Sequence, residues 1–208
     1  MLVTLTFAQP HGVIAYDDRG SGPLVVMVPG LGDVRQSYRF LAPLVAAEGY
    51  RVVTVDLRGH GDSSTGWPSY SSAAVGDDVL ALVEHIDAGP AVMVGNSFAA
   101  AAAVAAAAER PELVSGIVLI GPFVREPQVG GGTKLAMSLL FSGFWKVRAW
   151  TWYYATLFPG DKPADFAEYR AALTRNLAEP GRFEAVKSMI DRNEPGVEKR
   201  LTLSLIHI

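Results

Sequence analysis

Three short apolar runs rich in β-branched residues constrain this chain more than anything else in its 208 residues. They are Leu24–Val28 (LVVMV), Arg51–Val55 (RVVTV) and Ala91–Val94 (AVMV), and a segment with helical spacing follows each. A short apolar run bounded by Gly or Pro reads as a strand buried on both faces. Gly22-Pro23 and Pro29-Gly30 bound the first run in this way. The first helical segment is Ser37–Glu48, with Tyr38, Leu41, Leu44 and Val45 at helical spacing and Gly49 as its stop. The second is Ser71–Ile86, with Val75, Val79, Leu82 and Ile86 on one face, and the third is an alanine-rich helix from Phe98 to Arg110. Gly116–Ile120 (GIVLI) completes the series as another strand. Leu2–Phe7 and Gly12–Tyr16 open it as a hairpin through Ala8-Gln9-Pro10-His11. Buried strands alternating with helices imply the α/β class: a mostly parallel sheet with helices on both faces.

From Pro127 the pattern changes. Gly130-Gly131-Gly132 breaks the chain, and no buried-strand signature follows. Instead come helical patterns dense in aromatics, from Phe141 through Trp145, Trp150 and Tyr154 to Phe158. Two more helices are predicted around Ala164–Leu177 and Arg182–Ile190, separated by Glu179-Pro180-Gly181. The expected organisation is a sheet domain over residues 1–126 and a helical insertion lying over it at 127–202.

Composition removes several function classes. The chain has no cysteine, which excludes a disulfide scaffold, a thiolate zinc site and a cysteine nucleophile together. Eighteen Lys and Arg against 21 Asp and Glu leave a formal charge of −3, with no basic footprint for nucleic acid. Met1 to Pro10 lacks a basic residue ahead of an apolar stretch, so no signal peptide is expected. Ala91 to Ala108 is uncharged, but Gly95-Asn96-Ser97 interrupts it and alanine supplies little apolar area. We expect a strand running into a tightly packed helix there, no membrane span, and a cytoplasmic protein.

The sharpest chemical motif is Gly95-Asn96-Ser97-Phe98-Ala99, which follows a strand and opens a helix. A serine on such a turn projects its hydroxyl from the carboxyl edge of the sheet, and small neighbours let the turn pack closely. The N–H of the next residue, Phe98, then stands at a helix N-terminus where negative charge is favoured. The competing reading of Ser97 is a plain N-cap. Val28-Pro29-Gly30-Leu31-Gly32-Asp33 follows the strand at 24–28, and its turn can present the N–H of Leu31 as a second donor. It can also be a structural turn. As a dinucleotide fingerprint it fails at the third glycine position, which is Arg35. A third stretch, Asp56-Leu57-Arg58-Gly59-His60-Gly61-Asp62-Ser63-Ser64, follows the next strand, and His60 reads as structural.

In order and spacing, VPGLGD, DLRGHGDSS and GNSFAA resemble the α/β-hydrolase fold superfamily over Val3 to about Phe123, and the later helices match its cap domain in position. The resemblance implies Ser97 as nucleophile, with the backbone N–H groups of Leu31 and Phe98 as the oxyanion hole. It implies a cofactor-independent, metal-free serine hydrolase acting through an acyl-enzyme on a carboxylic ester or similar small acyl substrate, and the aromatic helical segment suggests that this substrate is apolar or aromatic. Here Pro29-Gly30 stands where the family often has His-Gly, and Ala99 replaces the final glycine of the motif. Epoxide hydrolases and haloalkane dehalogenases place aspartate at the serine position, which disfavours both chemistries. C–C bond hydrolysis and perhydrolysis run on the same fold, and a non-catalytic binding protein with this fold is the reading from another class.

The superfamily's chain order is Ser, then Asp or Glu, then His. Downstream of Ser97 the one histidine is His207, within Leu203-Ser204-Leu205-Ile206-His207-Ile208. A back-translation of residues 203–208 matches a sequencing-library adapter, so we expect a non-native tail on a C-terminally truncated chain whose acid and histidine lie beyond residue 208. The alternative is an authentic strand with His207 as base. Glu126 is a fallback acid, competing with a solvated loop residue.

Overall fold

The computed structural model describes residues 4–122, 131, 139, 141–158 and 160–190. A hairpin opens the fold: β1 (Leu5–Gln9) pairs antiparallel with β2 (Gly12–Arg19), and Gln9 faces Gly12 across a two-residue turn. The three runs singled out above become β3 (Leu24–Val28), β4 (Arg51–Val55) and β5 (Ala91–Asn96), and β6 is Val114–Ile120. Spatial order in the sheet is β1-β2-β4-β3-β5-β6. β2 runs antiparallel to β4, and the four remaining strands are mutually parallel.

Side-chain alternation along the strands divides the core. Val26, Val28, Val53, Val55 and Met93 face α2 (Ser72–Ile86) and α3 (Phe98–Glu109) on one side. Val25, Met27, Val52 and Val94 meet Tyr38 and Ala42 on the other. The run of alanines in α3 has a packing reason. Ala99 to Ala106 are all buried, and Gly76 of α2 lies so close that a Cβ there would stand 3.0 Å from the Ala102 carbonyl oxygen. Larger side chains on either helix would force them apart. Ser71 caps α2, its Oγ accepting the Ala74 N–H at 3.0 Å.

One expectation needs correction. The segment 37–48 is a 3-10 turn at Arg35–Tyr38 followed by α1 (Leu41–Ala47). Pro43 is the reason: it has no N–H for the Arg39 carbonyl, so it fits only in the first turn of a helix. The buried face rotates accordingly; Ala42 is inside, whereas Leu44 is 66% exposed. β6, expected as the last strand of the series, pairs with β5 alone among the described residues, and Val118 is 48% exposed.

After residue 140 come α4 (Lys146–Thr156), α5 (Phe166–Leu177) and α6 (Arg182–Ile190). Their aromatics form a separate cluster with Phe141, Trp150, Tyr154, Phe166, Tyr169 and Phe183. This cluster reaches the sheet domain through Leu31 and Val34, the loop after β3. Among the described residues no helix is long and apolar enough to cross a membrane.

Candidate active site

β4 lies on one side of β3 and β5 on the other, so the carboxyl ends of β3 and β5 border the crevice where strand order reverses. Open parallel sheets bind ligands at such a crevice. Two of the predicted motifs meet there. A Cβ placed on Gly30 would be 3.3 Å from the Cβ of Ser97, so the turn after β3 lies directly against the turn after β5.

Ser97 has φ 53° and ψ −113°, a conformation strained for any residue but glycine. Among the described residues only Asp87 shares a positive φ without being glycine. The turn is held by the Ser97 N–H, which donates to the Ile120 carbonyl at 2.8 Å, and by the Ala100 N–H, which donates to the Ser97 carbonyl at 3.1 Å. Gly95 is dictated by space, since a Cβ there would stand 2.4 Å from the Ala99 carbonyl oxygen. The Ser97 side chain makes no capping bond to α3, unlike that of Ser71 on α2. Phe98 is the first residue of α3, so its N–H has no acceptor within the helix.

Gly30 to Asp33 form a tight turn closed by the Asp33 N–H donating to the Gly30 carbonyl at 3.2 Å. Gly32 takes φ +70°, and a Cβ there would strike the Trp150 indole at 2.3 Å. Leu31 sits at the exposed corner of this turn, half-buried.

The loop after β4 proves to be the support of this turn. His60 is fully enclosed; its Nε2 accepts the Gly32 N–H at 3.0 Å and its Nδ1 donates to the Arg58 carbonyl at 3.1 Å. Both ring nitrogens are therefore occupied, and burial lowers its pKa to about 4. It is a neutral structural histidine, as expected. Asp56 accepts the Arg35 N–H at 2.7 Å and pairs with the Arg35 guanidinium, which also reaches Asp17 at 3.0 Å and Asp62 at 2.8 Å. Gly61 leaves room for this, because a Cβ there would stand 2.0 Å from Asp56 Oδ2. The two loops thus occur together in the sequence because one holds the other.

Sequence reasoning missed a cluster on the far side of the turn. Asp33, only 5% exposed, accepts the Val34 N–H at 2.9 Å, the Tyr154 hydroxyl at 3.1 Å and the Tyr169 hydroxyl. Burial pushes the Asp33 carboxyl above the usual carboxylate range, partly offset by these three donors. Burial and the adjoining Asp33 carboxylate raise both phenols. Arg39 lies 4.2 Å from the Tyr169 ring centroid and pairs with Asp165 at 2.6 Å.

Among the described residues no histidine contacts Ser97: His11 meets Trp67, His85 meets Phe7, and His60 is committed to Gly32. Glu126 and His207 lie outside the described residues, as do 203–208 and most of 123–140. Among the described residues no group of three His, Asp or Glu side chains is placed to hold a metal ion.

A family model described as alpha/beta hydrolase fold matches residues 23–191. A 2-(acetamidomethylene)succinate hydrolase from Mesorhizobium japonicum is 30% identical over 165 residues, 74% of this chain and 55% of that protein. Epoxide hydrolase B from Mycobacterium tuberculosis is 32% identical over 123 residues, 58% of this chain and 35% of that protein. The chain therefore spans about half or less of the length of these curated relatives. The solved structure of the epoxide hydrolase CorEH without ligand superposes with a TM-score of 0.72 at 19% identity, covering 89% of this chain and 71% of its own, a likeness of fold.

Proposed function

The chain belongs to the alpha/beta hydrolase fold family, and from that premise we propose that it is a serine hydrolase of a carboxylic ester or similar small acyl substrate. The observation that carries the reading is Ser97: a strained serine, free of any capping bond, lying against the Gly30 turn at the sheet's reversal point. Strain of about 1–3 kcal/mol persists where the fold requires a particular projection of the side chain.

In this reading Ser97 Oγ attacks the acyl carbon as its proton passes to a base. The carbonyl oxygen becomes an oxyanion, which accepts the N–H groups of Leu31 and Phe98. Collapse expels the alcohol with that proton and leaves an acyl-enzyme, which water hydrolyses to the acid and free Ser97. Each preorganised oxyanion donor contributes about 10²–10³ in rate. The base and its orienting acid lie outside the described residues. We read α4–α6 as a cap, whose aromatics over Leu31 favour an apolar or aromatic acyl group. Serine at 97 separates the chain from the aspartate chemistry implied for the epoxide hydrolases that it resembles in fold.

The test is labelling with a fluorophosphonate, which forms a bond only with an activated serine. Applied to the protein expressed from its whole reading frame, it should modify Ser97 once per chain, and Ser97→Ala should abolish the adduct. Labelling that survives Ser97→Ala would remove Ser97 as nucleophile. Absence of any adduct in the intact protein would favour the non-catalytic binding protein.

A further inference from the structure

Asp33 has no role in the acyl-transfer steps above, yet it is among the most deeply buried carboxylates of the structure. Its donors are two neutral phenols and one backbone N–H, and among the described residues no cationic side chain pairs with it. Arg39 lies against the Tyr169 ring and is bound to Asp165, so its charge favours the Asp33 carboxylate without pairing with it. A carboxylate held in this way costs stability compared with an apolar side chain of similar size, so the arrangement calls for another reason.

The placement of the three residues supplies one. Asp33 is the last residue of the turn that carries Leu31, and its own N–H closes that turn. Tyr154 belongs to α4 and Tyr169 to α5, so one carboxylate joins two separate helices to a single turn. The opposite side of the turn is fixed by His60 at Gly32 and by Asp56 at Arg35. Trp150, also on α4, covers the remaining face of Gly32. The turn is therefore gripped from the sheet domain below and from the helices above. If the upper grip loosens, Gly30–Asp33 keeps only its lower contacts, and the Leu31 N–H loses its fixed direction.

We infer that Asp33 is a positioning residue: through Tyr154 and Tyr169 its carboxylate couples the seating of α4 and α5 to the direction of the Leu31 N–H beside Ser97. The inference rests on the acyl-transfer reading for its consequence in rate, but the coupling itself is a property of the fold. In its terms the helices complete the oxyanion hole without contributing a group to it. The site reaches full competence only when they are seated.

The experiment uses the intact protein and the variants Tyr154→Phe, Tyr169→Phe and their double. Two readouts are taken: hydrogen exchange of the amides at residues 31–34, and the second-order rate of fluorophosphonate reaction at Ser97. We expect the double variant to exchange at least about 10-fold faster at residues 31–34 with β3 and β5 unchanged. Its phosphonylation should slow by about 10- to 100-fold, the scale on which small misplacement of a catalytic group acts. With a p-nitrophenyl ester, kcat should fall while KM stays within about twofold, because only the transition state uses the donor. Asp33→Asn, which keeps one acceptor oxygen, should recover part of the rate lost in Asp33→Ala. If the double variant fails to fold, Tyr154→Phe alone, which removes one hydroxyl, carries the test. Exchange and rate both within twofold of the parent protein would overturn the inference. An intact parent protein that does not react at Ser97 would instead overturn the hydrolase reading. Exchange at residues 31–34 would then decide the coupling by itself, supporting it if raised and ending it if unchanged.

Discussion

Gly32 donates its backbone N–H to Nε2 of His60 at 3.0 Å, across 28 residues of chain, and this bond fixes the imidazole as neutral. Protonation at Nε2 would place a second donor against the Gly32 N–H inside a closed core.

A pH dependence of stability follows. Burial lowers the His60 pKa to about 4, below its ordinary value of 6.5. Between those values the unfolded chain binds a proton that the folded protein does not, so stability falls as pH drops from 6.5 towards 4. The loss attributable to this residue is at most about 3 kcal/mol, from 1.36 kcal/mol per pH unit. His60→Gln keeps an acceptor for Gly32 but does not titrate, and its urea-unfolding free energy should decline less over that interval. Parallel profiles for the two proteins would refute the assignment.

Gly95 is a position where one methyl group decides the fold of the turn. Its Cβ would stand 2.4 Å from the Ala99 carbonyl oxygen, which is backbone and cannot swing aside. Gly95→Ala should destabilise by about 2–3 kcal/mol or more and lose fluorophosphonate reaction at Ser97. Ala99→Gly, nearby in the same motif, should lower stability by only about 1 kcal/mol through helix propensity. Equal urea midpoints for Gly95→Ala and the parent would show that the turn is laxer than its geometry.

Arg58 and Asp78 form a buried pair, Nε to Oδ2 at 2.7 Å, and Arg58 also donates to the carbonyls of Ser69 and Ala74 at 2.7 and 2.8 Å. Asp78→Ala leaves a guanidinium enclosed without its counter-charge and should be destabilising by about 3–5 kcal/mol. Arg58→Met together with Asp78→Leu removes both charges and should be less destabilised than Asp78→Ala alone. Thermal unfolding of the parent, Asp78→Ala and the double variant measures the difference; a double variant no more stable than Asp78→Ala would refute it.

Much of this was legible in the sequence where neighbouring residues decide the outcome. The strands read at 24–28, 51–55 and 91–94, the last extended to Asn96 in the fold, and the turn at Ser97 depend on contiguous apolar runs and on local space. Pro43 is legible too, but the apolar spacing over 37–48 masks it, and the helix begins at Leu41. Which strands lie beside β6, paired with β5 alone among the described residues, is not written in its own residues. His60 could be recognised as structural, yet its partner is a backbone N–H, which every residue but proline owns. Asp33, Tyr154 and Tyr169 are ordinary residues individually, and only the fold brings them together.

The separations in that last cluster reach 121 and 136 residues, whereas the β5–α3 turn closes within a handful. Loop closure over such spans is entropically expensive and must precede the contacts that reward it. The turn at Ser97 therefore rests on contacts close in sequence, whereas the hold of α4 and α5 on Gly30–Asp33 joins residues more than half the chain apart.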